Sequence, residues 1–238
     1  MKKKTFVLAL MVCLTMAAQA QVAKYCMNYS DFVSGNWKSV DDLTQGRTKQ
    51  ACQLKSGNKY YYFRTGDKSA DKMLKKEAFA VMYGDKLFVN CRNLLYKDHS
   101  LDVTSYTPAV RFDKNKVCVM AYKTDDASLL LGAGLLLGSC FVDNPWVSLG
   151  MDAAGAGCWI GNEFLSKTYC YLVDSNANGN GKYNTVCMND TYMEKLLNHD
   201  AKLLEKYKAI HNKRNRQSSS NVIPILMEKG LIASNAIK

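Results

Sequence analysis

EAFAVMYGDKLFVNC, residues 77–91, decides the fold class. Two apolar runs flank Gly84-Asp85, and glycine as the first central residue suits a two-residue type II′ hairpin turn. Centred there, Met82 faces Leu87, Val81 faces Phe88 and Ala80 faces Val89. Apolar partners match on both faces, so the hairpin reads as strands buried on both sides within a sheet.

The same pattern extends outward. Residues 109–112 and 117–122 flank the polar turn Asp113-Lys114-Asn115-Lys116, and residues 50–54 and 59–64 flank Ser56-Gly57-Asn58. Lys68–Lys76 reads as one or two helical turns between strands. Alternation along these runs is imperfect, which suggests a β-meander or a small barrel.

Residues 168–188 form a further hairpin around Asn178-Gly179, a pair suited to a type I′ turn because both central residues need φ > 0. A two-residue turn there sets Val173 opposite Asn184, Leu172 opposite Thr185 and Cys170 opposite Cys187. That pair falls on a non-hydrogen-bonded position, where Cα atoms lie about 4.5 Å apart, inside disulfide range. Cys170 and Cys187 are therefore the disulfide candidate; a turn at Asn180-Gly181 would instead leave Cys170 facing Thr191. Asp174, Asn176, Asn178 and Gly179 also match the opening of an EF-hand loop. Its twelfth position, which should be Glu, is Thr185, so the hairpin reading is preferred.

After Asn189 the period becomes helical. Thr191 and Glu194 make a capping box, and Met193, Leu196, Leu197, Leu203, Leu204, Tyr207 and Ile210 form one stripe, giving an amphipathic helix over residues 191–214. Asp200 and His211 fall on the stripe. Lys206, Lys208, Lys213, Arg214 and Arg216 gather at its end and read as cations complementing a helix C-terminus. After the break at Ser218-Ser219-Ser220, residues 222–229 make a short amphipathic piece that packs back on the domain.

Between the hairpins lies ASLLLGAGLLLGSCFV (127–142), sixteen uncharged residues, broken by Asp143-Asn144-Pro145 and followed by WVSLGMDAAGAGCWIGNEF (146–164). Gly134 and Gly138 sit one helical turn apart, giving a smooth strip for close backbone approach. The run is too short to span a bilayer and too apolar to stay wet. It is either a buried Gly-rich helical insertion over residues 127–161 or a docking surface. The candidate docking residues are Leu129, Leu130, Leu131, Gly134, Leu135, Leu136, Leu137 and Gly138.

The chain has 238 residues, nine cysteines and a formal charge of +11. Lys2-Lys3-Lys4, the apolar stretch 6–16 and Ala18-Gln19-Ala20 read as a signal peptide over residues 1–20, cleaved before Gln21. Removal of those three lysines lowers the charge to +8, and removal of Cys13 leaves eight cysteines. An even number in an exported chain fits disulfide pairing. Residues 21–238 are expected to form a single α+β domain, addressed to the periplasm, the cell surface or the outside.

Catalytic patterns are sparse. Gly157-Cys158-Trp159 has the Cys-Trp pair of papain-like nucleophiles, which would require His199 or His211 as the base. The polar oxyanion donor expected before that cysteine is missing, so a cysteine hydrolase is the alternative rather than the leading reading. Three scattered histidines make no metal box, no Cys-x-x-Cys occurs, and neither a dinucleotide nor a Walker-type phosphate loop is present. No cofactor, metal or nucleic acid is expected. A ligand site on the aromatics Tyr60-Tyr61-Tyr62 is a third option.

Three segments, KMLKKEAFAVMYGDKLFVNCRNL (72–94), YCMNYSDFVSGNW (25–37) and NVIPILMEKGLI (221–232), resemble an exported bacterial family without assigned activity. That resemblance implies a β-rich region, a Gly/Ala-rich apolar insertion, another hairpin and C-terminal helices over nearly all of the mature chain. It transfers no catalytic residue. The expected function is that of a non-enzymatic envelope protein. Its partner would be another envelope protein or a membrane surface, docked through the apolar insertion, with self-association through that insertion left open.

Overall fold

A computed structural model describes residues 23–49, 59–101, 105–113, 115–122, 160, 162–178 and 180–236. The strands are β1 (Ala23–Cys26), β2 (Lys38–Val40), β3 (Thr44–Lys49), β4 (Lys59–Arg64), β5 (Ala80–Tyr83), β6 (Lys86–Asn90), β7 (Leu94–Tyr96), β8 (His99–Ser100), β9 (Tyr106–Phe112), β10 (Lys116–Tyr122), β11 (Thr168–Ala177) and β12 (Tyr183–Cys187). The helices are α1 (Tyr29–Ser34), α2 (Lys68–Lys76), α3 (Asn162–Lys167), α4 (Asp190–Leu197), α5 (Ala201–Lys208), α6 (Lys213–Arg216) and α7 (Ser219–Glu228). The fold is α+β, as the hairpin pattern implies.

All twelve strands belong to one mixed sheet in the order β2-β1-β5-β6-β9-β10-β11-β12-β7-β8, with β3 and β4 as a side arm joined through β9. The β5–β6 hairpin has the register read from its turn, with Ala80 opposite Val89, Val81 opposite Phe88 and Met82 opposite Leu87. Gly84 supplies the left-handed first turn position at φ +63°. The 109–112 and 117–122 runs pair as β9 and β10 around their polar turn. The partner of β4 is β3, while residues 50–58, including the run 50–54, lie outside the described residues.

The sheet curls without closing into a barrel. Its concave face carries one apolar cluster drawn from both ends of the strand order: Cys26 and Phe79 near one end, Leu94, Tyr183 and Cys187 near the other. The Phe79 and Tyr183 rings meet at 5.0 Å between centroids, and the Tyr29 backbone N–H donates to the Tyr183 hydroxyl at 3.0 Å. Two further clusters cover the convex side. One lies beneath the helices and contains Met120, Ile160, Leu165, Met193, Tyr207 and Leu226. The other lies beneath α2 and the β3–β4 arm, where Phe63, Phe88 and Tyr106 stack.

Side chains remote in sequence finish the local elements. Asp67 caps α2 at its start by accepting from Ala70 N–H at 2.7 Å. Its C-terminal carbonyls are met by buried Asn90, whose amide donates to Ala78 O at 3.0 Å and Lys75 O at 3.2 Å, and by the Tyr106 hydroxyl on Leu74 O at 2.5 Å. A helix end buried without such partners would leave orphan carbonyls.

Two sequence readings are corrected here. Cys170 and Cys187 do not face one another: Tyr171 is the partner of Cys187, and both cysteines are free thiols. The turn is a three-residue loop, with Gly181 N–H on Asn178 O and Asn178 N–H on Lys182 O. Gly181 occupies the left-handed position at φ +69°. The register shifts again between Val173 and Ala177, which leaves Tyr171 opposite Cys187; an odd displacement in pairing sends side chains to opposite faces, so Cys187 joins the concave cluster and Cys170 the helix-covered one.

The helix expected over 191–214 is three helices, α4, α5 and α6. Asn189 rather than Thr191 caps α4, accepting from Tyr192 N–H at 3.0 Å. Asp200 caps α5 by accepting from Leu203 N–H at 3.1 Å, which ends the preceding helix.

Candidate docking site

In sequence the apolar segment lies between β10, which ends at Tyr122, and α3, which leads into β11. Those strands are antiparallel neighbours, with Tyr122 opposite Thr168 and Ala121 opposite Tyr169. Exit and return points therefore lie side by side at one end of the sheet. The Tyr122 and Phe164 rings close this neck edge to face, 5.5 Å between centroids. Ile160 and Leu165 anchor the return strand in the core beneath the helices.

A basic turn stands beside the neck. Tyr169 forms a bridge with Ser218, and the Thr168 hydroxyl bonds the Ser219 hydroxyl at 3.1 Å. Immediately before Ser218 comes α6, capped by Asn212, which accepts from Asn215 N–H at 3.0 Å. Lys213 and Arg214 on this turn are exposed and make no ion pair among the described residues. Nearby cations are spoken for: Lys206 pairs with Glu228, and Lys208 with Glu194 at 3.3 Å.

Arg216 fixes the turn. Its guanidinium grips Asp190 through Nε at 2.9 Å and Nη2 at 2.7 Å, while Nη1 donates to Ile210 O at 3.0 Å. The Tyr207 hydroxyl donates to the same carboxylate at 2.8 Å. The Arg216 hydrogen bonds hold the Asp190 carboxyl well below the usual carboxylate range, against partial burial that pushes the other way. Arg216 is therefore a structural tie, and not one more cation complementing a helix end.

Leu129, Leu130, Leu131, Gly134, Leu135, Leu136, Leu137, Gly138 and Cys158 lie outside the described residues. His199 and His211 are both exposed, one in the connector between α4 and α5 and the other between α5 and α6. Neither faces the core stripe on which the sequence period would put His211. The Tyr60-Tyr61-Tyr62 run splits between two faces. Tyr61 packs on Phe88 at 4.9 Å, whereas Tyr62 lies over Gly46 with the Arg64 guanidinium 4.9 Å from its ring centre. Asp174 and Asn178 spend side-chain oxygens on turn N–H groups of Asn176, Asn180 and Lys182. No group of three metal-ligating side chains occurs among the described residues.

The neck and the basic turn were not legible beforehand, because the contact between residue 169 and residue 218 bridges two segments with no shared pattern. A family model described as a family of unknown function (DUF6563) matches residues 24–232. No curated protein and no solved structure matches the chain.

Proposed function

The chain belongs to this family of unknown function, and from that premise we propose that it is an exported, non-enzymatic envelope protein that attaches to an anionic lipid surface. The apolar segment would supply insertion and the Lys213-Arg214 turn electrostatic attraction. What carries the reading is the neck. Tyr122 and Thr168, which flank in sequence the stretch containing the sixteen-residue uncharged run, are paired neighbours in the sheet, beside the exposed basic turn.

The magnitudes support joint action. Each leucine moved from water into an apolar phase is worth about 1.5–3 kcal/mol. Each Lys or Arg near an anionic surface adds about 1 kcal/mol, within about 10 Å at ordinary salt. A few inserted leucines with two cations reach reversible peripheral binding, short of the hold of a spanning helix.

Flotation with phosphatidylglycerol-containing vesicles, against phosphatidylcholine alone, tests this. The full mature chain should float with anionic vesicles, lose that association in Leu135→Asp/Leu136→Asp, and bind at least about tenfold more weakly in Lys213→Glu/Arg214→Glu. A monodisperse chain that ignores both vesicle types refutes the reading. Self-association that Leu135→Asp abolishes, without lipid binding, assigns the segment to a second copy instead.

A further inference from the structure

The neck end of the sheet carries a second cationic element. Asn90 lies opposite Tyr106 in the β6–β9 pair, and Tyr122 opposite Thr168 in the β10–β11 pair. The Thr107 hydroxyl donates to Met120 O, so the start of β9 stands beside the end of β10. Asn90, Tyr106, Tyr122 and Thr168 thus mark one end of four adjacent strands. A helical element is tied to each side of that row. On the β11 side, Thr168 and Tyr169 hold Ser219 and Ser218, directly after the basic turn. On the β6 side, the Asn90 amide and the Tyr106 hydroxyl donate to Lys75 O and Leu74 O at the C-terminal turn of α2. Three strand spacings put the two attachments about 14 Å apart.

Helix α2 turns Leu74 into the core with Phe63, Phe88 and Tyr106. At 3.6 residues per turn, Lys68, Lys72, Lys75 and Lys76 fall within an arc of about 100° on the opposite side. All four are exposed and make no ion pair among the described residues. The neighbouring acids are spent: Asp67 caps the helix, and Asp71 accepts from the Thr65 N–H at 2.6 Å and the Thr65 hydroxyl at 3.1 Å. Helix stability does not account for the stripe. Lys75 and Lys76 suit a C-terminus, but Lys68 opens the helix, where a cation is unfavourable. Lys68 with Lys72, and Lys72 with Lys76, are like charges one turn apart, which repel.

We propose that α2 is a second foot on the anionic lipid surface, so that the chain stands on its neck end with Lys75-Lys76 to one side of β10 and Lys213-Arg214 to the other. The inference rests on the lipid reading above and adds to it the orientation of the molecule. In sequence the apolar run begins five residues after Tyr122, whose strand lies between the two feet. A flat anionic surface meets both cation groups at once, whereas a single phosphate does not bridge the gap between them. Attraction fades beyond about 10 Å at ordinary salt, so Lys75 and Lys76, on the turn tied to the row, take the larger share.

The test titrates the full mature chain with phosphatidylglycerol-containing vesicles and reads the bound fraction by flotation. Lys75→Gln/Lys76→Gln should weaken binding at least about tenfold at an unchanged urea midpoint, since each lysine near an anionic surface is worth about a factor of five. Lys24→Gln/Lys116→Gln removes the same charge from exposed positions set back toward the other end of the sheet and should bind within about twofold of the parent. Equal weakening by the two pairs overturns the proposal, because net charge alone then sets the affinity. Parent-like binding by Lys75→Gln/Lys76→Gln, in a chain that Leu135→Asp/Leu136→Asp still detaches, overturns the second foot and leaves the lipid reading standing. A parent chain that ignores the vesicles overturns both.

Discussion

Removing the Asp190 carboxylate tests what holds the basic turn against the end of the sheet. Asp190 opens α4 and accepts three hydrogen bonds, two from Arg216 and one from Tyr207. Arg216 also lies over the Tyr207 ring at 5.7 Å. Hydrogen bonds to charged groups contribute roughly 1.5–3 kcal/mol each when dry. Arg216 and Asp190 remain 18% and 21% exposed, so water recovers part of that. The expected cost of Asp190→Ala is about 3 kcal/mol, and of Asp190→Asn, which keeps one acceptor, about 2 kcal/mol. At about 2–4 °C per kcal/mol for a chain of this size, Asp190→Ala should lose roughly 6–12 °C in Tm.

The pH dependence has a definite sign. The folded carboxyl titrates below its unfolded value of about 3.9, so its contribution is complete above that value and is lost as pH falls toward the folded pKa. Urea unfolding at pH 7 and again near pH 3 should therefore show the gap between parent and Asp190→Asn narrowing in acid. A double-mutant cycle with Arg216→Ala should give at least about 1 kcal/mol of coupling at pH 7. A destabilisation under about 0.5 kcal/mol, or a gap indifferent to pH, would refute the idea that this ion pair is a structural tie.

Asn90→Ala should cost about 2–4 kcal/mol in urea unfolding, because it strips partners from buried carbonyls at the end of α2. Tyr183→Phe removes the acceptor of the Tyr29 N–H at the seam of the curled sheet, for a loss of about 1–3 kcal/mol by the same measurement. Burial pushes the Cys26 thiol up to about 12; maleimide at pH 8 should leave it unlabelled in the folded chain and label it in urea, as read by peptide mass spectrometry.

Local chemistry made half of this fold readable. The β5–β6 register follows from one glycine at one turn position, and apolar partners on both faces leave no competing slip. The helix Lys68–Lys76 was likewise visible from its own residues, but the reason its C-terminus tolerates burial was not, since Asn90 and Tyr106 arrive from other strands. The resemblance to a family without assigned activity is matched by the family model over residues 24–232. Membership carries no residue's role, so the site had to come from geometry.

The errors share a physical origin in small polar residues that offer two backbone solutions. Residues 176–181 contain both Asn178-Gly179 and Asn180-Gly181, and each two-residue turn leads to its own pairing. The chain takes neither: a three-residue loop places Gly181 in the left-handed position, and Asn178 accepts from two N–H groups to hold it. Asn198-His199-Asp200 is similar, because an apolar stripe continues across it while Asp200 caps a new helix. The stripe reports that α4 and α5 serve one core layer and is silent on whether the backbone between them is continuous. The loop and the register shift between Val173 and Ala177 together change the pairing of Cys170. Once Cys187 turns to the concave face, the neighbouring thiol on Cys170's own face is Cys118, in a strand separated from β11 by the entire apolar excursion. The loop and the register shift beyond it thus decide which face of the sheet each cysteine takes.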